Sequence, residues 1–163
     1  MLHAVADTNT AVSGLMSSGA AASILRLAYD RRITLWGCPE SLAEFRRVIR
    51  YRRIEKRITQ LYRGVLAFER EYERLVNVVS IEGIEPGVLV PDDRDDEVFI
   101  RIAVAAQARY IVTRDPDLLD LGRFQATLIV SPEEFMTAWR AAQAQSSPTP
   151  PRRWKLPWRR RQS

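Results

Sequence analysis

The stretch LHAVAD, residues 2–7, is a short apolar run that ends in a carboxylate. Its length and composition predict a buried strand at residues 2–6. Four further runs have the same character: ITLWG at 33–37, VNVVS at 76–80, RYIVT at 109–113 and TLIV at 127–130. The sequence therefore predicts five short strands.

Segments with the helical spacing of apolar residues separate these strands. Such spacing is found at 20–29, at 39–49 and over a long segment at 58–75. The tetrapeptide SPEE at 131–134 is typical of a helix start, with a capping serine, a proline and acidic residues in the first turn. Because strands and helices alternate, we expect an α/β fold with a central, mostly parallel, five-stranded sheet covered on both faces.

Composition excludes several classes of protein. The chain has 163 residues, 46% of them hydrophobic, and no apolar run approaches the roughly 18 residues of a membrane helix, so we expect a cytoplasmic protein. One cysteine, Cys38, and one histidine, His3, are too few for a disulfide or a Cys/His zinc cluster. A catalytic triad would have to use His3, which we interpret as structural. The chemistry is expected to come mainly from carboxylates.

The C-terminal residues differ in composition from the rest. Residues 146–163 carry six basic residues, no acidic ones, four prolines and two tryptophans, whereas residues 1–145 carry 19 basic and 20 acidic residues. We predict a domain at 1–145 and a flexible basic tail at 146–163. This tail suits RNA or an anionic membrane surface, and a solvated tail without a specific partner fits the composition equally well.

Carboxylates follow the predicted strands at one edge of the sheet. Asp7 follows the first strand, Asp115 follows the fourth, and Glu44 lies at the border of a helical apolar stripe. The segment PDDRDDEVF at 91–99 adds five acidic residues where another helix begins. In open α/β sheets, ligands bind beyond the carboxyl ends of the strands, where the strand order reverses. We expect acidic side chains from four segments to converge there.

Carboxylates at helix starts also have a structural explanation, because they accept hydrogen bonds from free backbone N–H groups, and Glu44 alone could be a surface glutamate. Asp7 is harder to explain in this way, because a carboxylate that ends a strand buried on both faces needs a partner. Together, four carboxylates about 6 Å apart would repel by roughly 17 kcal/mol at an effective dielectric constant of about 20. That exceeds the roughly 5–15 kcal/mol by which a domain is stable. Protonation or separation of the carboxylates would relieve the repulsion. A bound cation that prefers oxygen ligands, Mg²⁺ or Mn²⁺, relieves it best.

Four motifs, in chain order, resemble those of PIN domains: DTN at 7–9 with SG at 13–14, SLAEF at 41–45, DRDD at 93–96 before Ala103, and VTRDPDLL at 112–119. The chain is most similar to the VapC-like toxin ribonucleases of bacterial toxin–antitoxin pairs. The resemblance implies an α/β/α sandwich and a Mg²⁺- or Mn²⁺-dependent endoribonuclease, with a homodimer and an antitoxin protein as expected partners. It also implies an acidic quartet at Asp7, Glu44, Asp96 and Asp115.

Further residues are expected to assist this site. Asn9, Thr113 and Asp117 would orient the metal ligands or bind water. RNA would be held by a basic strip, here Arg46, Arg47, Arg50, Arg52, Arg53, Lys56 and Arg57. A solvated helix face is the alternative interpretation of that strip. Arg114 replaces a common glycine of the family and could either pair with Asp115 or point outward to RNA phosphate.

Other classes of protein fit less well. A phosphorelay receiver domain needs an acidic pair after the first strand and a lysine after the last, but the chain's lysines are Lys56 and Lys155. A haloacid-type phosphatase needs Asp-x-Asp, and Asn9 occupies the second position. The remaining alternative is a catalytically degenerate PIN-type module that binds RNA or a partner protein without cleavage.

Overall fold

Six strands and eight helices make up the described part of the chain. The structure is a computed structural model that describes residues 1–85 and 94–146, without the side chains of residues 94–96 and 146. The strands are β1 (Leu2–Ala6), β2 (Ile33–Gly37), β3 (Val76–Val78), β4 (Tyr110–Val112), β5 (Arg123–Phe124) and β6 (Thr127–Val130). The helices are α1 (Thr8–Met16), α2 (Ala20–Tyr29), α3 (Pro39–Val48), α4 (Arg52–Leu61), α5 (Val65–Leu75), α6 (Arg94–Ala105), α7 (Pro116–Leu121) and α8 (Pro132–Ser146). Residues 147–163, most of the predicted basic tail, lie outside the described residues.

The strands form one sheet in the order β3-β2-β1-β4-β6-β5. β1 pairs in parallel with β2 and β4, and the pairs β2–β3 and β4–β6 are also parallel. The two-residue strand β5 is antiparallel to β6 because the two are joined by a tight turn. The five predicted strands are confirmed, and β5 is a sixth that was not predicted.

Helices cover both faces of the sheet. In β1, Ala4 and Ala6 pack into a core formed with residues of α1–α5 and α8. Val5 points to the opposite face and packs into a second core with residues of α6 and α7. Successive side chains of a strand alternate between faces, so a strand buried on both sides reads as a continuous apolar run. The predicted three-layer α/β/α architecture is confirmed.

The long helical segment at 58–75 belongs to two helices, α4 and α5. Gly64 lies between them at φ +108°, a backbone conformation that favours glycine. The start of α8 has the predicted capping arrangement. The Ser131 Oγ accepts a hydrogen bond from the Glu134 N–H at 3.2 Å, and Glu134 Oε2 accepts one from the Ser131 N–H at 2.7 Å.

The sequence pattern gives no prediction of α1, because TNTAVSGLM combines weak helix formers with a glycine. Tertiary packing explains why this segment is helical. A Cβ at Gly14 would lie 2.8 Å from Leu25 Cδ1 and 2.9 Å from the Ala21 carbonyl oxygen, so α1 packs against α2 at a distance that only glycine permits.

Within the described residues, no single helix is both long and apolar enough to cross a membrane. The pair α1 and α2 meets those criteria only when the two helices are taken together, and they are bent by 89° relative to each other.

Candidate active site

Asp7 stands at the carboxyl end of β1 and caps α1. Its backbone is extended, with φ −68° and ψ 164°, and its Oδ1 accepts a hydrogen bond from the Thr10 N–H at 2.7 Å. Its own N–H donates to the Val112 carbonyl oxygen of β4 at 3.1 Å. The residue is only 5% exposed, so its carboxylate depends on partners within the protein.

A buried hydroxyl joins Asp7 to Asp115. Thr113 directly follows β4, is 0% exposed and donates from Oγ1 to Asp7 Oδ2 at 2.5 Å. The same oxygen accepts a hydrogen bond from the Asp115 N–H at 2.9 Å. Asp115 in turn caps α7, because its Oδ1 accepts a hydrogen bond from the Asp117 N–H at 2.9 Å. The Thr113 hydroxyl therefore fixes the position of Asp7 relative to Asp115.

These groups lie where the strand order reverses. The sheet extends from β1 through β2 to β3 in one direction, and from β4 through β6 to β5 in the other. Because β1 and β4 are adjacent and parallel, Asp7 and Asp115 follow strand ends on the same edge of the sheet. The crevice at such a reversal is where ligands of open α/β sheets bind.

Glu44 projects from α3 and is half-buried, at the border of the apolar stripe as predicted. It lines a pocket of about 290 Å³ between α3 and α6. The residues that line this pocket, called the α3–α6 pocket below, are Glu40, Ala43, Glu44, Arg47 and Val98.

The buried hydroxyl of Tyr72, on α5, is affected by the charges of both Asp7 and Glu44. Burial raises the pKa of Tyr72, and the negative charges of Asp7 and then Glu44 raise it further. Both carboxylates therefore act on the same hydroxyl. The Tyr72 ring stacks on Phe45 with the centroids 4.2 Å apart. The sequence indicates Tyr72 only as an apolar helix position, because no local pattern separates a core tyrosine from one beneath a charged site.

The backbone of Asp96 lies in the first turn of α6, and its side chain lies outside the described residues. Val98, two residues later, lines the α3–α6 pocket together with Glu44. Among the side chains that the structure describes, no three from His, Cys, Asp and Glu form a group that could hold a metal ion. The quartet of Asp7, Glu44, Asp96 and Asp115 therefore stays a prediction.

Residues 3–117 match the family model of the PIN domain. The chain belongs to the PIN domain family. The match runs from β1 into α7 and includes all four predicted acidic residues. Searches among curated proteins and among solved structures gave no significant match. Membership of the family indicates a nuclease-type, hydrolytic function, and PIN domains generally use divalent metals.

The donor atoms at this edge of the PIN domain suit Mg²⁺ or Mn²⁺. The candidate ligands are carboxylates, the oxygen donors that these ions prefer. Each oxygen of Asp7 accepts one hydrogen bond and keeps a further lone pair for a cation. The nitrogen and sulfur donors have structural positions: His3 Nδ1 lies 3.3 Å from the Ala106 carbonyl oxygen, and Cys38 Sγ accepts a hydrogen bond from the Ser41 N–H at 3.4 Å.

The three residues predicted to orient the ligands have different surroundings. Thr113 is buried and contacts both Asp7 and Asp115. Asp117 is exposed in the first turn of α7, and its N–H binds Asp115. Asn9 is exposed in the first turn of α1.

Arg114 pairs with α8. Its Nη2 donates to Glu133 Oε1 at 2.7 Å, and this hydrogen bond lowers the pKa of Glu133. Within the described residues the ion pair of Arg114 is with Glu133 and not with Asp115. Of the two orientations considered for Arg114, the pairing with Asp115 is therefore not the one that the structure has.

The basic strip divides into two groups. Arg46 Nε donates to Glu69 at 2.8 Å and to Glu73 at 3.0 Å, and Arg50 Nη2 donates to Glu69 at 2.7 Å. Burial raises the pKa of Glu69, but the hydrogen bonds from Arg50 and then Arg46 outweigh it, so the pKa is lowered. In the described part of the chain, the other cations of the strip are exposed and have no ion pair. These are Arg47, Arg52, Arg53, Lys56 and Arg57.

Proposed function

We propose that this PIN domain is a Mg²⁺- or Mn²⁺-dependent endoribonuclease and the VapC-like toxin of a type II toxin–antitoxin pair. The observation that carries the proposal is the hydrogen-bonded chain from Asp7 through Thr113 to Asp115 at the strand reversal. Helix capping accounts for the hydrogen bond to one oxygen of the Asp7 carboxylate. The other oxygen accepts a hydrogen bond from Thr113, which follows a different strand, β4. Such double restraint is typical of a carboxylate that is positioned for a ligand.

In this proposal the metal ligands are Asp7, Glu44, Asp96 and Asp115. Mg²⁺ or Mn²⁺ bound there supplies an acidified water and neutralises negative charge on the scissile phosphate. Thr113 and the Thr10 N–H hold the Asp7 carboxylate in place, so little rearrangement is needed on binding.

The substrate is attracted by cations that the protein does not neutralise itself. The exposed cations of the basic strip that have no ion pair among the described residues can attract RNA phosphates, and this attraction is independent of RNA sequence. One of them, Arg47, lines the α3–α6 pocket together with Glu44. Asn9 and Asp117 are available to bind water or to orient the ligands. No histidine is required as a general base, in agreement with the structural position of His3.

Cleavage of RNA by the purified full chain tests the proposal. The substrate is a mixture of structured and single-stranded RNA, incubated with Mn²⁺, with Mg²⁺ or with EDTA. Asp7→Asn and Asp96→Asn are the site variants, and Asp120→Asn, an exposed carboxylate on α7, is the charge-matched control. We expect the parent and the control to cleave with either metal, and the site variants to lose at least about 100-fold in rate. Cleavage that persists in EDTA, or in both site variants, contradicts the metal-dependent reaction.

A degenerate PIN module that binds RNA or a partner protein without cleavage is the competing function. RNA binding by the parent without cleavage under any metal condition would support this function.

The toxin role is tested in cells. Expression of the parent is expected to arrest bacterial growth, and expression of Asp7→Asn is not. Co-expression of a small gene adjacent to the one that encodes this chain should relieve the arrest, because an antitoxin protein would cover the acidic edge. Growth arrest by Asp7→Asn that equals arrest by the parent would separate toxicity from the proposed chemistry. A homodimer in light scattering would agree with the family resemblance.

A further inference from the structure

Two neighbouring arginines of α3 have different surroundings. Arg46 and Arg47 are adjacent in sequence, so their side chains leave the helix about 100° apart. Arg46 lies on the flank that faces α5, where it donates to Glu69 and Glu73 at 2.8 and 3.0 Å. Arg47 lines the α3–α6 pocket.

The α3–α6 pocket includes a proposed metal ligand, Glu44. Its α3 residues follow the spacing i, i+3, i+4, i+7, which places them on one face of the helix. Val98 of α6 lines the other side, two residues after the backbone position of Asp96. Arg47 is the member of the basic strip that lines this pocket.

The charge of Arg47 is available to a ligand. The residue is exposed, and among the described residues it makes no ion pair, whereas Arg46 and Arg50 are neutralised by Glu69 and Glu73. A guanidinium presents a fork of N–H donors that matches the oxygens of a phosphate. A cation beside carboxylates therefore gives an anionic substrate a point of attachment at the edge where a metal would bind.

We infer, on the basis of the proposed ribonuclease activity, that Arg47 binds a phosphate of the RNA at the acidic edge. Arg46 and Arg50 instead hold α3 against α5. The basic strip is therefore not a uniform electrostatic surface. Its RNA-binding members are Arg47 and the exposed cations of α4, namely Arg52, Arg53, Lys56 and Arg57.

The test compares Arg47→Gln with Arg46→Gln, which remove the same charge from adjacent positions. The probe is a fluorescein-labelled single-stranded RNA of mixed sequence, with binding measured by anisotropy in EDTA over a range of salt concentrations. We expect Arg47→Gln to raise the dissociation constant about tenfold. It should also reduce the slope of log affinity against log salt by about 0.7, the value for one lost phosphate contact on a single strand.

Cleavage of the same RNA in Mn²⁺ and thermal unfolding complete the comparison. Arg47→Gln is expected to raise KM more than it lowers kcat and to keep the parent's Tm, because the side chain is exposed. Arg46→Gln is expected to change the dissociation constant by less than about twofold and to lower Tm, because Glu69 and Glu73 lose a partner.

Two outcomes overturn the assignment of Arg47. One is a dissociation constant and salt slope of Arg47→Gln that equal those of the parent. The other is a larger loss of binding in Arg46→Gln than in Arg47→Gln. If the parent protein cleaves RNA and either of these outcomes is observed, the assignment of Arg47 fails but the proposed function stands. If the parent neither binds nor cleaves RNA, the proposed function fails and the assignment fails with it.

Discussion

Replacing Thr113 by valine removes one hydroxyl and keeps the shape of the side chain. That hydroxyl donates to the Asp7 carboxylate at 2.5 Å and accepts from the Asp115 N–H at 2.9 Å. A hydrogen bond to a charged group contributes about 1.5–3 kcal/mol, and a neutral one about 1 kcal/mol. Because Thr113 is 0% exposed and Asp7 only 5%, water cannot replace the bond to Asp7, which is the stronger of the two. We expect the free energy of unfolding to fall by about 2–4 kcal/mol, a large part of the roughly 5–15 kcal/mol of a domain.

Urea unfolding followed by circular dichroism measures this loss. Thr127→Val is the matched control, because the buried Thr127 hydroxyl makes one neutral hydrogen bond, to the Ala108 carbonyl oxygen at 2.7 Å. That variant is expected to lose about 1 kcal/mol. Thr113→Ser keeps the hydroxyl and should therefore retain more stability than Thr113→Val. RNA cleavage is measured at a temperature at which all variants remain folded, and only Thr113→Val is expected to lose most of its activity.

The outcome of this comparison decides two separate points. A loss of stability in Thr113→Val no larger than that in Thr127→Val would refute the strength assigned to the Asp7–Thr113–Asp115 chain. Full RNA cleavage by folded Thr113→Val would refute the role of Thr113 in orienting Asp7, even if the stability falls as expected.

Three further predictions concern packing and charge. Gly14→Ala is expected to lower the free energy of unfolding in urea by about 1–2 kcal/mol, because the new Cβ would lie 2.9 Å from the Ala21 carbonyl oxygen. Thr10→Val is expected to raise the free energy of unfolding by about 1 kcal/mol, because the buried Thr10 hydroxyl has no hydrogen-bond partner in the described part of the chain. A lower free energy of unfolding in this variant would contradict the prediction. Glu69→Gln is expected to cost about 1 kcal/mol at pH 7. The folded-state pKa of Glu69 is lowered, so its contribution is present above the unfolded pKa of about 4.3 and is lost as the pH falls through the folded pKa. Equal losses in Glu69→Gln at neutral pH and at about pH 3 would contradict this prediction.

The sequence predicts the architecture of this PIN domain because burial on both faces leaves a continuous apolar run in each main strand. The two residues of β5 are too few for any pattern, and their pairing depends on the turn at Gln125, whose φ is +50°. α1 has a local cap from Asp7, but its weak helix formers also depend on the close approach to α2 at Gly14, which is a tertiary feature.

The candidate site is predictable where it depends on strand ends, as for Asp7 and Asp115. The division of the basic strip is not predictable, because it depends on pairing with Glu69 and Glu73 across two helices. The ion pair of Arg114 is not predictable either, because its partner on α8, Glu133, is 19 residues away in sequence. Side-chain partners of this kind are set by the packing of helices, which no local pattern encodes.

Titration of the full chain with Mn²⁺ tests the central claim, that Asp7, Glu44, Asp96 and Asp115 together bind a divalent cation. The electron paramagnetic resonance signal of free Mn²⁺ gives the bound fraction without reference to activity. We predict that the parent and Asp120→Asn bind Mn²⁺ alike, and that Asp96→Asn and Asp115→Asn each bind it at least about tenfold more weakly. Parental affinity for Mn²⁺ in both of these variants, or no binding by the parent, would contradict the claim.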